Sequence, residues 1–467
     1  MKNRFVTLML IIMICPSTMF SQEVKTSKEL SLFEFLEQAR SHDPQVESVL
    51  QQTMQVNFLK KTIMPDQSLV FQVSNQYGFG IDDTRKTETW EFSATQPIVS
   101  SGTNVVASHR INKQVDRKEK VSSISLEQSL YRNAFGKRDR NLSKRLDIEN
   151  EVLLLQTAEA YEDYIAVLAT SYLNWNLLHL QHTATLALKN ESEKLLASIQ
   201  RRQRMGTALA IDVEKIELEK LGFEENELTL NKQIIQERQS IEQAILMEPG
   251  SKIVPGPLPK TLLAMDGHEM EYAFLREHSR TRKALTLSQE AGQLNVVVKE
   301  SDMRPDLNAI LGFSYDDSTR FTTSTDRQQL FVGFNLSVPL GNQKKKGQTM
   351  QASYQEIEAS IAKRRFEKNL DIAYRNQLEQ VKQAHMAVEV GLKKWNLSTA
   401  IEGKERKRYE QGRIDVQTLI NARQAQSQHQ FSYLSLQIEL AKTMIEWLRV
   451  TDQLVASQDQ ILLHEKN

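Results

Sequence analysis

The chain of 467 residues carries as many acidic as basic side chains, and 25% of its residues are charged. A net charge of zero gives no overall field that would attract nucleic acid, so the composition excludes a nucleic-acid partner of the usual basic type. Glycine and proline are scarce, with 17 and 10 residues. Long stretches rich in Ala, Glu, Lys, Leu, Gln and Arg are typical of long helices rather than of compact globular domains.

The N-terminus has the pattern of a secretory signal peptide. A basic head at residues 2–4 precedes an apolar run, Phe5–Cys15, and small residues follow up to Ser21. This run is too short to span a bilayer as a helix of the mature protein. We therefore expect residues 1–21 to be removed on export, with cleavage after Ser21.

Cys15 is the only cysteine of the chain. A lipid anchor on Cys15 would need a small residue before it, and Ile14 stands there instead. The mature protein is then expected to have no disulfide and no thiolate metal site. No later apolar stretch is long enough for a transmembrane helix, so insertion into a membrane would require a closed β-barrel.

The mature chain contains two repeats of one plan. In the first repeat, residues 22–247, an amphipathic helical region covers Glu29 to about Thr62 and is broken near Pro44. Alternating residues at about 67–99 predict a pair of strands. Apolar residues at helical spacing then predict a long helical hairpin at about 141–247.

The second repeat, residues 266–452, returns to the same order. A helix is expected from Asp266 to about Ser301, two strands at about 305–339 and a second helical hairpin at about 345–452. The remaining segments are a proline-rich linker, 248–265, and a C-terminal tail, 453–467. Matching order in the two halves indicates an internal duplication.

Apolar and polar side chains alternate along the predicted strands, and Pro97 and Pro339 close the second strand of each pair. Strands of about ten residues with two faces of opposite character are what a transmembrane barrel requires. The alternative is an ordinary soluble sheet with one wet face. That sheet would need further elements to cover its apolar face, and the sequence offers none.

The first repeat is about 36 residues longer than the second between the strand-end proline and the turn glycine. The extra residues, about 103–136, alternate Ile124, Leu126 and Leu130 with serines and Glu127. They predict an added β-hairpin. The sequence leaves open whether this hairpin widens a barrel or packs at its rim.

Each helical hairpin turns at one glycine, Gly206 in the first and Gly412 in the second. Glycine adopts a positive φ at low cost, which suits it to a turn between two helices. An acceptor side chain is expected to cap the returning helix, namely Asp212 in the first hairpin and Asp415 or Thr418 in the second.

The order and duplication of these elements resemble the TolC family of outer-membrane efflux proteins. The resemblance also includes QPIVSSGT (Gln96–Thr103), VPLGNQ (Val338–Gln343) and the turns RMGTALAIDVEKIE and RYEQGRIDVQTLINAR. Gly206 precedes Asp212 by six positions, as in the family's repeat turn. The resemblance implies a mainly α fold with transmembrane β: a homotrimer in which four strands per protomer close a twelve-stranded β-barrel, continued by a periplasmic α-helical barrel.

The function implied by this resemblance is a passive exit duct in the outer membrane that extends into the periplasm. It would serve a tripartite efflux pump or a type I secretion system. A periplasmic adaptor protein would dock on the hairpin tips around Gly206 and Gly412, and an inner-membrane transporter would supply the energy. The alternative is a soluble periplasmic coiled-coil scaffold or adaptor that does not conduct.

The resemblance further places a gate at the periplasmic end. Tyr409 matches the family's turn tyrosine, and its hydroxyl is expected to bond Asp212 and hold the closed state. Alternatively, Asp212 only caps its helix while Tyr409 packs. Arg413 lies one position from the family's linking arginine, since Ile414 occupies the matching place.

The pore-narrowing aspartates of the family are replaced here by Thr418 and Asn421 at the matching turn spacing. Asp415 is the nearby residue that could still supply an acidic ring. A weaker acidic ring would reduce the preference for cations and the block by multivalent cations.

Basic residues cluster where strands lead into helices. They are Arg132, Lys137, Arg138 and Arg140 in the first repeat and Lys344, Lys345 and Lys346 in the second. In a barrel these positions would face anionic lipid headgroups, although a solvated charge run is the plain alternative. The aromatic residues expected at the membrane interfaces are Tyr77, Trp90, Tyr315 and Phe331.

No phosphate-binding loop, dinucleotide fingerprint, nucleophile elbow or HExxH motif occurs in the sequence. His179 and His182 lie three apart on a predicted helix, but no third metal ligand accompanies them. We therefore expect neither enzymatic activity nor a metal or other cofactor.

Overall fold

The computed structural model describes residues 28–79, 81, 86–115, 117–248, 252–264, 270–320 and 323–455. The predicted signal peptide and the last 12 positions of the tail (456–467) lie outside these residues. The helices are α1 (Leu32–His42), α2 (Pro44–Gln51), α3 (Met54–Ile63), α4 (Lys137–Arg204), α5 (Ala210–Ala244), α6 (Tyr272–His278), α7 (Arg280–Met303), α8 (Gln343–Glu410) and α9 (Val416–Val450). The strands are β1 (Lys28–Leu30), β2 (Val70–Phe79), β3 (Lys86–Ile98), β4 (Thr103–Lys113), β5 (Arg117–Ser129), β6 (Ile253–Pro255), β7 (Asp306–Arg320) and β8 (Thr323–Ser337).

Two helical hairpins, α4–α5 and α8–α9, form most of the molecule. Helices α4 and α8 have 68 residues each, and α5 and α9 have 35 each. At a rise of 1.5 Å per residue, the longer helices extend over about 100 Å. Such lengths exceed a compact domain, so these helices must bury their apolar stripes against one another along an elongated body. The helix-rich fold class with an accompanying sheet is confirmed.

The helical region before the first strands is divided by its own capping residues. Ser31 and Glu34 form a capping box, in which the Glu34 amide donates to Ser31 Oγ (3.2 Å) and the Ser31 amide donates to Glu34 Oε2 (3.0 Å). Asp43 caps α2 by accepting from the Gln45 amide at 2.8 Å, with Pro44 as the first helical residue. The break expected near Pro44 is therefore present.

The helix expected from Asp266 to Ser301 is interrupted. Positions 265–269 lie outside the described residues, and the described part forms two helices, α6 and α7. The break falls at Ser279, whose hydroxyl accepts from the Arg282 amide and so caps α7. A local serine cap starts a new helix here, where the apolar spacing alone predicted one continuous helix.

The main apolar core lies where both hairpins meet the short strands β1 and β6. Trp175, Tyr172, Phe35 and Trp447 are at most 1% exposed. The Tyr172 hydroxyl donates to the Leu30 carbonyl (2.6 Å) and accepts from the Gly256 amide (3.1 Å), so it ties this small parallel sheet to α4. Burial raises the pKa of Tyr172 to about 12.

The large sheet is antiparallel and has the order β2-β3-β4-β5-β7-β8. The added hairpin of the first repeat is β4–β5, and it occupies the centre of the sheet. Its strand β4 pairs with β3, and β5 pairs with β7 over 13 residues. The count of four strands per protomer that the resemblance implied is therefore wrong for this chain, because the insertion pairs on both sides and brings the count to six.

Among the described residues, no helix combines the length and the apolar character that crossing a membrane would need.

Candidate functional site

One face of the six-stranded sheet is apolar across all of its strands. The residues that form one cross-strand row on this face are Phe71, Ala94, Ala107, Ile124, Phe313 and Leu330. Nothing in the chain covers this apolar face among the described residues: Phe71 is 67% exposed, Val332 77% and Phe334 76%. A contiguous exposed apolar surface of this kind marks contact with a partner or with a membrane.

The apolar face ends at a charged row. Lys120, Asp317 and Asp326 are cross-strand neighbours on β5, β7 and β8, and Lys120 Nζ lies 2.9 Å from Asp317 Oδ2. On β7 the apolar side chains run from Leu307 to Tyr315, about 27 Å along the strand at 3.4 Å per residue. With strands tilted by about 40°, this length covers a height of about 21 Å, which is close to the apolar band of about 25 Å in transmembrane barrels.

The opposite face of the sheet is polar and built from small side chains. The central row contains four serines, which we call the serine row: Ser93, Ser108, Ser123 and Ser314. Gln72 and Gln329 extend it to the edge strands. The Oγ atoms of Ser108 and Ser123 lie 2.8 Å apart. The two faces thus differ in the way that lipid on one side and water on the other would demand.

Three of the four predicted interface aromatics share the apolar face. Trp90 lies in the same cross-strand row as Lys120, Tyr315 lies one row before it and Tyr77 one row beyond it, so the three form a belt around the charged row, as expected for an aromatic girdle. Phe331 is the exception, since it pairs with Gly312 on the polar face. Its ring covers Gly312, where an added Cβ would lie 2.3 Å from Phe331 Cζ.

At the far ends of the long helices, both hairpins turn at the predicted glycines. Gly206 has a φ of 72° and Gly412 a φ of 70°. Asp415 caps α9 by accepting from the Thr418 amide at 2.9 Å. Asp212 acts differently: it lies inside α5 and accepts from the Leu209 amide behind it at 3.3 Å. The expectation that Asp212 is the capping residue of α5 is therefore corrected, because Leu209 precedes the helix.

The predicted bond between Tyr409 and Asp212 is not formed. Both residues belong to the described part of the chain, and no hydrogen bond joins their side chains. The Asp212 carboxylate accepts instead from the backbone amide at the start of its own helix. Tyr409 is instead 7% exposed, with the Arg202 guanidinium 5.1 Å from its ring centre. Burial raises the pKa of its hydroxyl.

Tyr409 belongs to a small apolar cluster that joins the two hairpin ends, which we call the tip cluster. Its buried members are Ile199, Ile216, Tyr409, Val416, Leu419 and Ile420. They come from α4, α5, α8 and α9, so all four long helices meet here. Closing the hairpins against each other buries this surface, and separating them would expose it to water.

Directly beside the tip cluster lies a polar group that the sequence analysis missed, which we call the tip network: the buried side chains of Ser192, Glu219 and Arg423 and the exposed Glu191. Arg423 Nε lies 3.2 Å from Glu219 Oε1, and Arg423 Nη2 donates to Ser192 Oγ at 2.7 Å. The side chains of Arg423 and Glu219 are only 3% and 4% exposed. Arg423 on α9 thus binds residues of α4 and α5, which links the second hairpin to the first.

Arg406 extends this link at the surface. Its guanidinium lies 3.0 Å from Glu191 Oε2 on α4 and 2.7 Å from Glu402 Oε1 on its own helix. Glu191 also lies 3.9 Å from Arg423 Nη1. Arg406 is 40% exposed, so its contribution is smaller than that of the buried pair.

A sequence signal for Arg423 did exist. Arg423 follows Val416, Leu419 and Ile420 at helical spacing, so it occupies an apolar stripe. A charge at such a position must find a buried partner. Arg413, which lies one position from the place of the family's linking arginine, is exposed.

The three pore-lining candidates share the opposite side of α9. Asp415, Thr418 and Asn421 are all exposed in the protomer, while Val416, Leu419 and Ile420 face the tip cluster. Asn421 accepts from Gln417 at 3.1 Å. The hydrogen bonds from Thr418 lower the pKa of Asp415, which favours its charged form.

Solved structures of the same architecture exist. The chain matches the outer-membrane channel OprN with a TM-score of 0.69 at 14% identity, covering 90% of this chain and 89% of that chain. The outer-membrane channel CmeC of Campylobacter jejuni matches with a TM-score of 0.67 at 10% identity, covering 93% of this chain and 89% of that chain. The open state of the MtrE channel of Neisseria gonorrhoeae matches with a TM-score of 0.66 at 12% identity, covering 91% of this chain and 90% of that chain.

The chain has the fold of the outer-membrane channels. No protein-family model and no curated protein matches its sequence. The resemblance to the TolC family is thus confirmed through the fold, which is retained at sequence identities where few side chains are shared.

Within this channel fold, the predicted basic junctions are only partly free. Arg138 lies 3.0 Å from Asp302 and 2.7 Å from Asp139, and Arg132 lies 3.3 Å from Asp306. Arg140 and Lys345 donate to backbone carbonyls. Among the predicted junction residues, all of which the structure describes, Lys137, Lys344 and Lys346 are exposed and have neither an ion pair nor a side-chain hydrogen bond. These three keep the prediction of a lipid-headgroup contact open, whereas Arg132 links the segment after β5 to β7 and Arg138 links α4 to α7.

The strand-end prolines and the histidine pair have ordinary positions. Pro97 is the penultimate residue of β3, opposite Asn104, and Pro339 follows the end of β8 by two residues. His179 is half-buried on α4, and burial lowers its pKa, with a further contribution from His182.

Three carboxylates converge elsewhere, at Glu159, Glu162 and Asp452, but Arg280 binds this group. The guanidinium offsets part of the negative charge of this group, and its ion pairs join α4 to the start of α7.

Proposed function

We propose that three copies of this chain form a channel-tunnel in the outer membrane. It would act as the passive exit duct of a tripartite efflux pump or a type I secretion system. An inner-membrane transporter would provide the energy, and a periplasmic adaptor would dock on the hairpin tips around Gly206 and Gly412. The transported substrate is left open, because the polar face of the sheet is chemically unspecific.

The observation that supports this proposal best is the two-faced sheet with two unpaired edges. Its apolar face is exposed on all six strands, and β2 and β8 are edge strands. In lipid, every unsatisfied backbone group costs several kcal/mol, so both edges must be paired. With an even number of antiparallel strands, β8 of one copy runs antiparallel to β2 of the next, and a ring of copies can close.

The helical hairpins support the second half of the proposal. They begin where the sheet ends, since α4 follows β5 after 7 residues and α8 follows β8 after 5. Helices of about 100 Å that pack side by side would continue the barrel as a tube into the periplasm. The channel fold is shared with MtrE, a channel described in an open state, which fits a tube with a movable end.

We place the gate at the hairpin tips. The tip cluster and the tip network hold the two hairpins together by burying apolar surface and one ion pair. Opening would expose both to water. Removing one partner of a buried ion pair costs about 3 to 5 kcal/mol, so this contact is strong enough to favour one state of the gate.

Membrane extraction tests the duct itself. The exported protein should stay with the outer-membrane fraction after high-salt washing and should require detergent for release. It should migrate as a trimer without heating and as a monomer after boiling. A monomer that remains soluble without detergent would contradict the duct and favour the soluble scaffold.

Single-channel recording in planar bilayers tests the gate. Replacing Tyr409 by Ala should raise the open probability at least several-fold, because it leaves a cavity in the tip cluster. Tyr409→Phe should stay near wild type, since the hydroxyl has no hydrogen-bond partner among the described residues. Asp212→Ala should also have a small effect. If Tyr409→Phe raised the open probability as much as Tyr409→Ala, the hydroxyl rather than the packed ring would be what closes the gate.

A further inference from the structure

We infer that the closed barrel has eighteen strands, six from each of three copies, and that hairpin β4–β5 widens the exit for bulky cargo. This inference rests on the proposed trimeric duct and adds the size of its bore. Without the hairpin, the remaining strands β2, β3, β7 and β8 would give a barrel of twelve.

The first support is the register of the hairpin. Its apolar residues continue the apolar face from both sides, since Ala107 lies between Ala94 and Ile124, and Ile124 is opposite Phe313. Leu126 is likewise opposite Leu311. A shift by one residue would turn every side chain of a strand to the other face. The insertion therefore has the pattern of barrel wall rather than of a flap at the rim.

The second support is the rigid base of the hairpin. The turn that leads from β3 into β4 packs against the start of α4 so closely that a Cβ on Gly136 would lie 2.3 Å from the Ser100 carbonyl oxygen. Gly102 approaches the Gly136 amide in the same way. Arg140 on α4 donates to the Ser100 carbonyl at 2.7 Å. These contacts fix the hairpin at the junction between sheet and helices.

The polar face of the hairpin also fits a water-filled interior. The serine row includes Ser108 and Ser123 from the hairpin, in line with Ser93 and Ser314 from its neighbours. Such short side chains leave the interior open. The next row mixes both signs of charge, with Arg110 lying 3.2 Å from Glu91. A lumen of small and mixed polar groups would not select strongly for one charge.

The strand count sets the bore. With strands about 4.8 Å apart and tilted by about 40°, a closed barrel of twelve strands has a backbone diameter of about 24 Å, and one of eighteen about 36 Å. Side chains of about 5 Å on each side leave openings of about 14 Å and about 26 Å. The narrower opening would admit one helix, which is about 10 to 12 Å wide, and the wider one a helical hairpin.

Serine-to-cysteine pairs test the position of the hairpin in the native membrane, because serine and cysteine differ little in size. With Cys15 lost in the signal peptide, the mature protein would contain no other thiol. Ser123→Cys with Ser314→Cys should be joined by a short bifunctional thiol reagent. Ser93→Cys with Ser314→Cys should not react, since two strands separate these residues. Ser108→Cys with Ser123→Cys is the control, which reacts wherever the hairpin lies.

The outcomes separate this inference from the proposed function. Efficient joining of the Ser93 and Ser314 positions would mean that β3 pairs directly with β7, and it would overturn the eighteen-stranded wall while leaving the duct intact. A soluble monomer would contradict both the eighteen-stranded barrel and the proposed duct.

Polymer exclusion measures the bore independently of the gate. Polyethylene glycols of graded size, added on the extracellular side of channels in planar bilayers, should enter and lower the conductance up to a hydrodynamic diameter of about 26 Å. A cut-off near 14 Å would contradict the inference. Electron cryomicroscopy of the detergent-purified trimer should resolve eighteen strands in cross-section, and twelve would overturn it.

Discussion

The two repeats share one plan but contribute unequally to the sheet. The first repeat supplies β2, β3, β4 and β5, while the second supplies only β7 and β8. Their helical hairpins nevertheless have equal lengths, with 68 and 35 residues in each. A sheet of two-faced strands can therefore accept an inserted hairpin without a change in the length of the long helices. The reason is that the backbone hydrogen bonds of each strand are made with its neighbouring strands alone.

The hairpin tips differ in a second way. In the second repeat, Asp415 caps its helix from outside, whereas Asp212 in the first repeat reaches back from within α5. Within the described parts of both repeats, a buried arginine is likewise found in the second alone, and it binds the first. Duplicated halves have thus acquired complementary surfaces where they meet.

The largest expected effect comes from placing a charge on the apolar face of the added hairpin. Leu126→Lys should cost about 2 to 4 kcal/mol per protomer in the membrane and prevent trimer assembly. Leu311→Lys, its cross-strand neighbour in the second repeat, should behave alike. Ser125→Lys, on the polar face, is the matched control. If Leu126→Lys assembles normally in a heat-modifiability assay while Leu311→Lys does not, the two repeats do not share one wall.

The tip network should give the next largest functional effect, a change in gating without loss of the trimer, although its free energy per protomer is of the same order. Arg423→Met leaves Glu219 buried without its partner and should destabilise the closed tips by about 3 to 5 kcal/mol. We expect a much higher open probability in planar bilayers, with the trimer retained. Arg413→Met, at an exposed arginine, is the control and should match wild type. Unchanged gating in Arg423→Met would exclude the tip network from the gate.

The turn glycines should respond equally in the two repeats. Each has a φ near 70° and open space around its Cα, so Gly206→Ala and Gly412→Ala suffer only the backbone strain, about 1 to 2 kcal/mol. Thermal unfolding should show similar, modest shifts. A much larger shift for one variant would indicate that its turn has contacts that a single protomer lacks.

The smallest effect should come from the cap at Asp415, and it should depend on pH. Hydrogen bonds from Thr418 lower the pKa of Asp415 below its usual value of 3.8. A group whose pKa is lowered on folding stabilises the fold above its unfolded pKa, and this stabilisation is lost as the pH falls through the folded value. Asp415→Ala should therefore lower the melting temperature slightly at about pH 7, and the difference from wild type should shrink as the pH falls below 3.8. A difference that stays constant as the pH falls would contradict the charge effect.

The sequence by itself determined the duplicated order, the strand faces, the helical hairpins and the turn glycines. These features depend on local periodicity and on backbone conformations such as the positive φ of Gly206 and Gly412, which neighbouring residues specify. The extra hairpin was also visible as alternation at 103–136.

Only the tertiary structure decided where that hairpin lies and which residues join the tips. The central position of β4–β5 depends on pairing between residues nearly 200 positions apart, such as Lys120 and Asp317. Arg423, Glu219 and Ser192 meet because the three helices α9, α5 and α4 converge, and no spacing along one helix encodes that. Asp212 and Tyr409 show the converse. Their sequence positions suited a hydrogen bond between the two side chains, but in the structure the Asp212 carboxylate accepts from the nearer Leu209 amide.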